Sequence, residues 1–210
     1  MREVRPIGSA CLAHCAVRWL EEQKTLTLTG ESVLECRYAW PETGQKKLDR
    51  YYRRLKGQWQ RRWERELYWD ACLDLAGKRE RSRPFTPWTA TLLGETTFQN
   101  EELLSLFLEA RERRGDSRTL YGRSGDIWEV RTGAPVGIPW RARKKICRTL
   151  ERREEGVLDD GYVQKTDRLF SVRNVCLRPE GLEVWYPQCT IAPAAEGLPT
   201  PEWQALPPYT

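Results

Sequence analysis

Leu26 and Leu28 alternate with threonines, and Leu34, Cys36 and Tyr38 alternate with Glu35 and Arg37. A period of two marks a half-buried strand. The two runs, Thr25–Thr29 and Ser32–Trp40, flank Gly30-Glu31 and predict a β-hairpin. Pro41-Glu42-Thr43-Gly44 breaks the pattern, and the period then changes. Leu48, Tyr52, Leu55, Trp59, Trp63 and Leu67 recur every three or four residues. That spacing predicts one long helix over about 45–76 with a single apolar stripe, closed by Gly77.

Other elements follow from the same signals. A helix at Ala10–Gln23, capped by Ser9, is expected ahead of the first hairpin. Trp88–Phe98 is rich in Thr and apolar residues and favours a strand. Thr119–Arg123 and Asp126–Arg131 flank Ser124-Gly125 as a further strand pair, followed by a turn at Thr132-Gly133-Ala134-Pro135. Pro139 opens a shorter helix over about 139–155, with Ala142, Ile146 and Leu150 facing inward. Leu169–Leu177 and Leu182–Tyr186 form a last hairpin around Pro179-Glu180-Gly181, ahead of a Pro-rich, extended tail. Leu103–Arg113 is ambiguous. Its composition favours a helix capped by Asn100, while Ser105-Leu106-Phe107-Leu108 fits a buried strand.

Strands and helices in this order predict an α+β fold. Its sheet is expected to be antiparallel, because most strand connections are too short for crossovers. Residues 1–24 are expected to form an N-terminal helical extension, and 25–210 a single domain. A 40% hydrophobic content fits a folded chain. The net charge of +5 comes from 35 basic and 30 acidic residues, intermixed as on solvated helix faces. The Arg- and Trp-rich long helix resembles a nucleic-acid-binding element. Yet Trp59 and Trp63 lie on the apolar stripe, away from the cations, so nucleic acid is the less favoured partner. No apolar run is long enough to span a bilayer. Seven cysteines, an odd count, and the absence of a visible export signal fit a reducing, cytoplasmic setting. Removal of an export segment would instead make the chain extracytoplasmic.

Candidate chemistry is sparse. Cys11, His14 and Cys15 form the one Cys/His cluster, but a fourth ligand is missing, and buried thiols explain it as well. His14 is the sole histidine and has no evident triad partners. Asp126, Glu129, Asp159 and Asp160 are the carboxylates that a cryptic enzymatic site would use. No catalytic set, metal site or cofactor motif emerges.

One resemblance goes further. Gly181-Leu182 opens a strand ending in Tyr186-Pro187, followed by Ile191-Ala192-Pro193-Ala194-Ala195-Glu196-Gly197. This resembles the end of the RsiV-type domain, found in RsiV anti-sigma factors and in the peptidoglycan deacetylase PdaC. Tyr38-Ala39-Trp40-Pro41 with Gly44, and Asp126–Arg131 with Thr132-Gly133, are similar to that family in order and spacing. The chain departs from it at Cys189 and Ala194, where an aromatic is usual, and at Tyr121–Gly125, which lacks a histidine. No membrane helix, sigma-binding segment or deacetylase domain accompanies the match. The resemblance implies a strand at Leu103–Arg113. It also implies a non-enzymatic, sensor-like recognition role, with a protein or cell-wall-related ligand; in the known sensor the ligand is a lysozyme. Under it, Trp185 and Glu183 on the last hairpin are candidate protein contacts, unless both sheet faces are covered and Trp185 is core.

Overall fold

The computed structural model describes residues 16–138, 141, 144 and 173–185. A five-stranded sheet has the order β1 (Arg18–Leu28), β2 (Glu31–Glu42), β3 (Trp88–Gln99), β4 (Leu103–Arg113), β5 (Leu120–Glu129). A continuous helical stretch joins β2 to β3: α1 (Lys46–Arg61), a π-helical segment (Arg62–Leu67) and α2 (Tyr68–Glu80). A small hairpin, β6 (Val175–Arg178) and β7 (Gly181–Val184), forms a second sheet. The fold is α+β. Among the described residues no helix is long and apolar enough to cross a membrane.

Period-two alternation decides what each face of the sheet carries. Cys36, Tyr38, Ala90, Leu92, Leu106 and Leu108 are buried on the helical side, against Leu48, Tyr52, Trp63, Leu67, Ala71 and Leu75. Tyr38 stacks on Trp63 with ring centroids 5.3 Å apart. The intervening residues of β4 and β5 face the opposite way and carry the small hairpin. Leu177 donates its N–H to Ser105 Oγ at 2.9 Å, and Phe107 meets Trp185 edge-on. Among the described residues, the main sheet is thus sandwiched for half its width and covered on one side for the rest.

Several expectations need correction. The sheet is not wholly antiparallel: β2 and β3 pair in parallel, because the helical stretch is long enough to carry the chain back to the same end. Arg18–Gln23 is strand, not helix. Pairing of Trp19 with Pro41 and of Gln23 with Arg37 overrides the helix propensity of Leu20-Glu21-Glu22. Pro41 and Glu42 continue β2 instead of ending it. The helical stretch runs through Gly77 to Glu80. Ser124-Gly125 is no turn: β5 is one strand, and Gly125 marks a close approach of backbone rather than a bend. Leu103–Arg113 is a strand, as the family resemblance implied and local propensity did not. Of the expected shorter helix over about 139–155 only Arg141 and Lys144 are described, both helical, and residues 1–15 and the Pro-rich tail lie outside the described residues.

Candidate functional site

Trp185 and Glu183 are internal. Trp185 is 4% exposed; its N–H continues the hairpin pairing to Asn174 O, and its ring packs on Phe107 with centroids 5.2 Å apart. Its indole N–H has no hydrogen-bond partner among the described residues. Glu183 is 8% exposed and accepts from Arg178 Nε at 3.0 Å and from the Cys176 thiol at 3.3 Å. Both faces of the hairpin are covered, so neither expected surface contact is on the surface. The covering partner, β4 with Phe107, was itself ambiguous in the sequence.

Of the two described candidate carboxylates, Asp126 and Glu129, Asp126 is the one brought into a cluster with tyrosines. It accepts from Tyr52 Oη at 3.0 Å and from Tyr51 Oη at 3.3 Å, and Trp128 Nε1 donates to Tyr52 Oη at 2.9 Å. Burial pushes its carboxyl above the ordinary aspartate range, against the two tyrosine hydrogen bonds and the charge of Arg173. Glu129 is elsewhere, in the Thr132-Gly133 turn, where it accepts from Thr132. Asp159, Asp160 and the Cys11/His14/Cys15 cluster lie outside the described residues. Among the described residues no group of three or more metal-ligating side chains converges. Burial pushes the Cys36 thiol up to about 11 and the Cys176 thiol up to about 12, so neither is a thiolate nucleophile at neutral pH.

Asp126 makes a testable contribution to pH dependence. A carboxyl whose folded value is raised contributes stability present below its unfolded value and lost as pH rises through the folded one. Asp126→Asn cannot ionise. Its stability relative to the native chain is therefore expected to improve from pH 4 to pH 7, by urea denaturation at about these two values. A relative stability that falls over that interval contradicts the assignment.

An open groove of about 600 Å³ lies on the outer face of β1, β2 and β3, away from the helices. Its floor is set by cross-strand pairing: Gln23 opposite Arg37, Arg37 opposite Thr91, Glu35 opposite Thr89. Ala39 and Leu93 continue the floor, and Glu21 stands on the β1 side. Beyond it, Glu109 of β4 is buried between Arg111 at 2.7 Å and Arg123 at 2.6 Å, which fixes a charged rim. Past Tyr38 and Leu92 the β2–β3 pairing stops. There Trp19 lies so close to Gly94 that a Cβ would sit 2.0 Å from its ring. Sequence reasoning did not name the groove residues. Their alternation was visible, but not that the small hairpin covers only the β3–β5 part of this face.

No family model matches the chain, and no curated protein matches it. Solved structures do. One is a DUF3298 family protein from Pseudomonas aeruginosa PAO1, with 15% sequence identity and a TM-score of 0.58 over 88% of each chain. Another is a member of the DUF3298 family from Bacteroides fragilis NCTC 9343, with 13% identity and a TM-score of 0.60 over 87% of each chain. At such identities the likeness concerns architecture alone: in fold, this chain is similar to solved DUF3298 family structures.

Proposed function

We propose that the chain is a non-enzymatic, RsiV-like recognition domain that binds a protein or cell-wall-related ligand in the outer-face groove. The observation that carries this reading is a sheet that the described residues cover over only part of its outer face. One part of the outer face is sealed by β6 and β7, while the adjoining part presents Arg37, Thr89 and Thr91 in an open groove. A fold similar to DUF3298 family structures is consistent with the RsiV-like assignment. Asp126, one of the candidate carboxylates, faces the helices, and both its oxygens are engaged by tyrosines.

Ala39 lies in the groove and is not fully buried, so Ala39→Trp fills the space with little effect on the core. The probes are a lysozyme and soluble peptidoglycan fragments, titrated calorimetrically. Binding of one of them, weakened about tenfold or more by Ala39→Trp, is the expected result. Failure of both to bind, or equal binding by the variant, rejects the groove as the site.

A further inference from the structure

Between Lys46 and Arg65 the sequence holds nine basic and two acidic residues. That surplus of seven exceeds the +5 of the whole chain, so the rest of the molecule is slightly acidic. Both acids are engaged. Asp49 accepts from the N–H and hydroxyl of Thr43, and Glu64 takes Lys24 and the Tyr38 hydroxyl. Among the cations, Lys47 reaches Thr132 O, Lys56 pairs with Glu22, and Arg62 pairs with Glu112.

Six cations remain: Lys46, Arg50, Arg53, Arg54, Arg61 and Arg65. All are exposed and have no ion-pair partner among the described residues. At about 100° per residue, the five on α1 fall within an arc of about 100°, opposite the stripe of Leu48, Tyr52, Leu55 and Trp59. Gly57 lies on the same arc, with open space where a side chain would project, and leaves a notch in the strip. Like charges four residues apart, as in Lys46–Arg50 and Arg50–Arg54, repel on an isolated helix. A bound anion would relieve that repulsion.

The surroundings favour one kind of anion. On the β1 side the strip borders a cleft of about 430 Å³, where Arg53 and Lys56 face Glu21, Glu22 and Glu42. Past Arg65 come Glu66 and Asp70, both exposed. The strip is one helix wide and bounded by carboxylates, so a broad polyanion such as a nucleic-acid duplex would lay phosphates over acidic groups. No exposed apolar side chain lies on the arc to enter a membrane. Guanidinium groups predominate, and their fork matches a carboxylate. We propose that the exposed face of α1 docks an extended acidic polypeptide segment, whose Asp or Glu carboxylates pair with Arg50, Arg53, Arg54 and Arg61.

The test uses the full chain and a fluorescein-labelled oligoglutamate peptide, by fluorescence anisotropy at low salt. A mixed-sequence DNA duplex and phosphatidylserine vesicles are comparators. Arg53→Glu/Arg54→Glu is expected to weaken peptide binding about tenfold or more. Arg81→Glu/Arg83→Glu changes net charge equally at exposed positions beyond α2, and is expected to stay within about twofold. Circular dichroism establishes that both variants fold. Equal loss in the two variants, tighter binding of duplex or vesicles than of peptide, or no peptide binding overturns the proposal. Because the groove lies on the opposite face of the sheet, Ala39→Trp is expected to leave peptide binding unchanged, and neither result decides the other.

Discussion

Gly125→Ala is expected to lower unfolding free energy by about 3 kcal/mol, the upper part of the usual range for an overpacked interior. A Cβ at this position would lie 2.1 Å from Val175 O and 2.9 Å from the Trp185 ring. The first of these is backbone and has no rotamer through which to yield. Gly125 also donates its N–H to Arg173 O at 2.7 Å, so the approach that excludes a side chain is the one that holds the small hairpin. The whole hairpin must therefore lift, and Trp185 loses its contact with Phe107. Urea denaturation measures the loss. Hydrogen exchange locates it: the amides of Leu177 and Trp185 are expected to lose protection while those pairing β2 with β3 keep it. Unchanged stability with full protection at Trp185 would show that the hairpin does not depend on this contact.

Glu112→Ala is expected to cost a similar amount, about 3 kcal/mol, for a different reason. Glu112 sits nearly buried under the π-helical segment and accepts from Arg62 Nε at 2.7 Å, Arg62 Nη2 at 2.9 Å and Trp63 Nε1 at 2.7 Å. Arg62 is about half exposed, so its charge can return to water and the ion-pair part is screened. Trp63 is fully buried, and its N–H has nowhere else to donate once the carboxylate is gone. Burial by itself would raise the Glu112 carboxyl, but the Arg62 and Trp63 hydrogen bonds outweigh it and hold the group below the ordinary glutamate range. A lowered folded value contributes stability present above the unfolded value and lost as pH falls through the folded one. The deficit of Glu112→Ala should therefore shrink on acidification below about pH 4.5. A deficit independent of pH would mean that only packing was removed.

The same region shows what the sequence made legible and what it did not. From Leu55 onward the apolar positions fall at Trp59, Trp63, Leu67, Ala71 and Leu75, each four residues on. On an α-helix such spacing drifts by about 40° per step, since a turn holds 3.6 residues. The π-helical turns at Arg62–Leu67 are wider and take up the drift, which keeps Trp63, Leu67 and Ala71 all buried. An unbroken run of fours was visible, but a search for one amphipathic stripe passes over it. The part of the β1–β2 hairpin next to its turn was legible because its residues alternate in polarity, and β3 because it is rich in Thr and apolar residues. Arg18–Gln23 of β1 was not, since Leu20-Glu21-Glu22 favours a helix locally. β4 was not: it is buried on both faces, so Leu104, Ser105, Leu106 and Leu108 give no alternation to read. The groove was missed for a related reason. Polar positions on a strand look alike whether they face water or another layer, and the order of strands in the sheet is not a local property. Trp185 illustrates the converse, since nothing within β7 reveals that Phe107 lies across it.

Alternation along β2 and β3 also divides the chain into positions of unequal evolutionary freedom. Cys36, Tyr38, Ala90 and Leu92 hold the helices and can change only in step with one another. Arg37, Ala39, Thr89 and Thr91 border open space, and under the proposed recognition role a substitution there would alter what the surface recognises without disturbing the interior. Ligand preference and architecture can thus drift apart within a few adjacent residues, which accords with a shared fold at 13–15% identity.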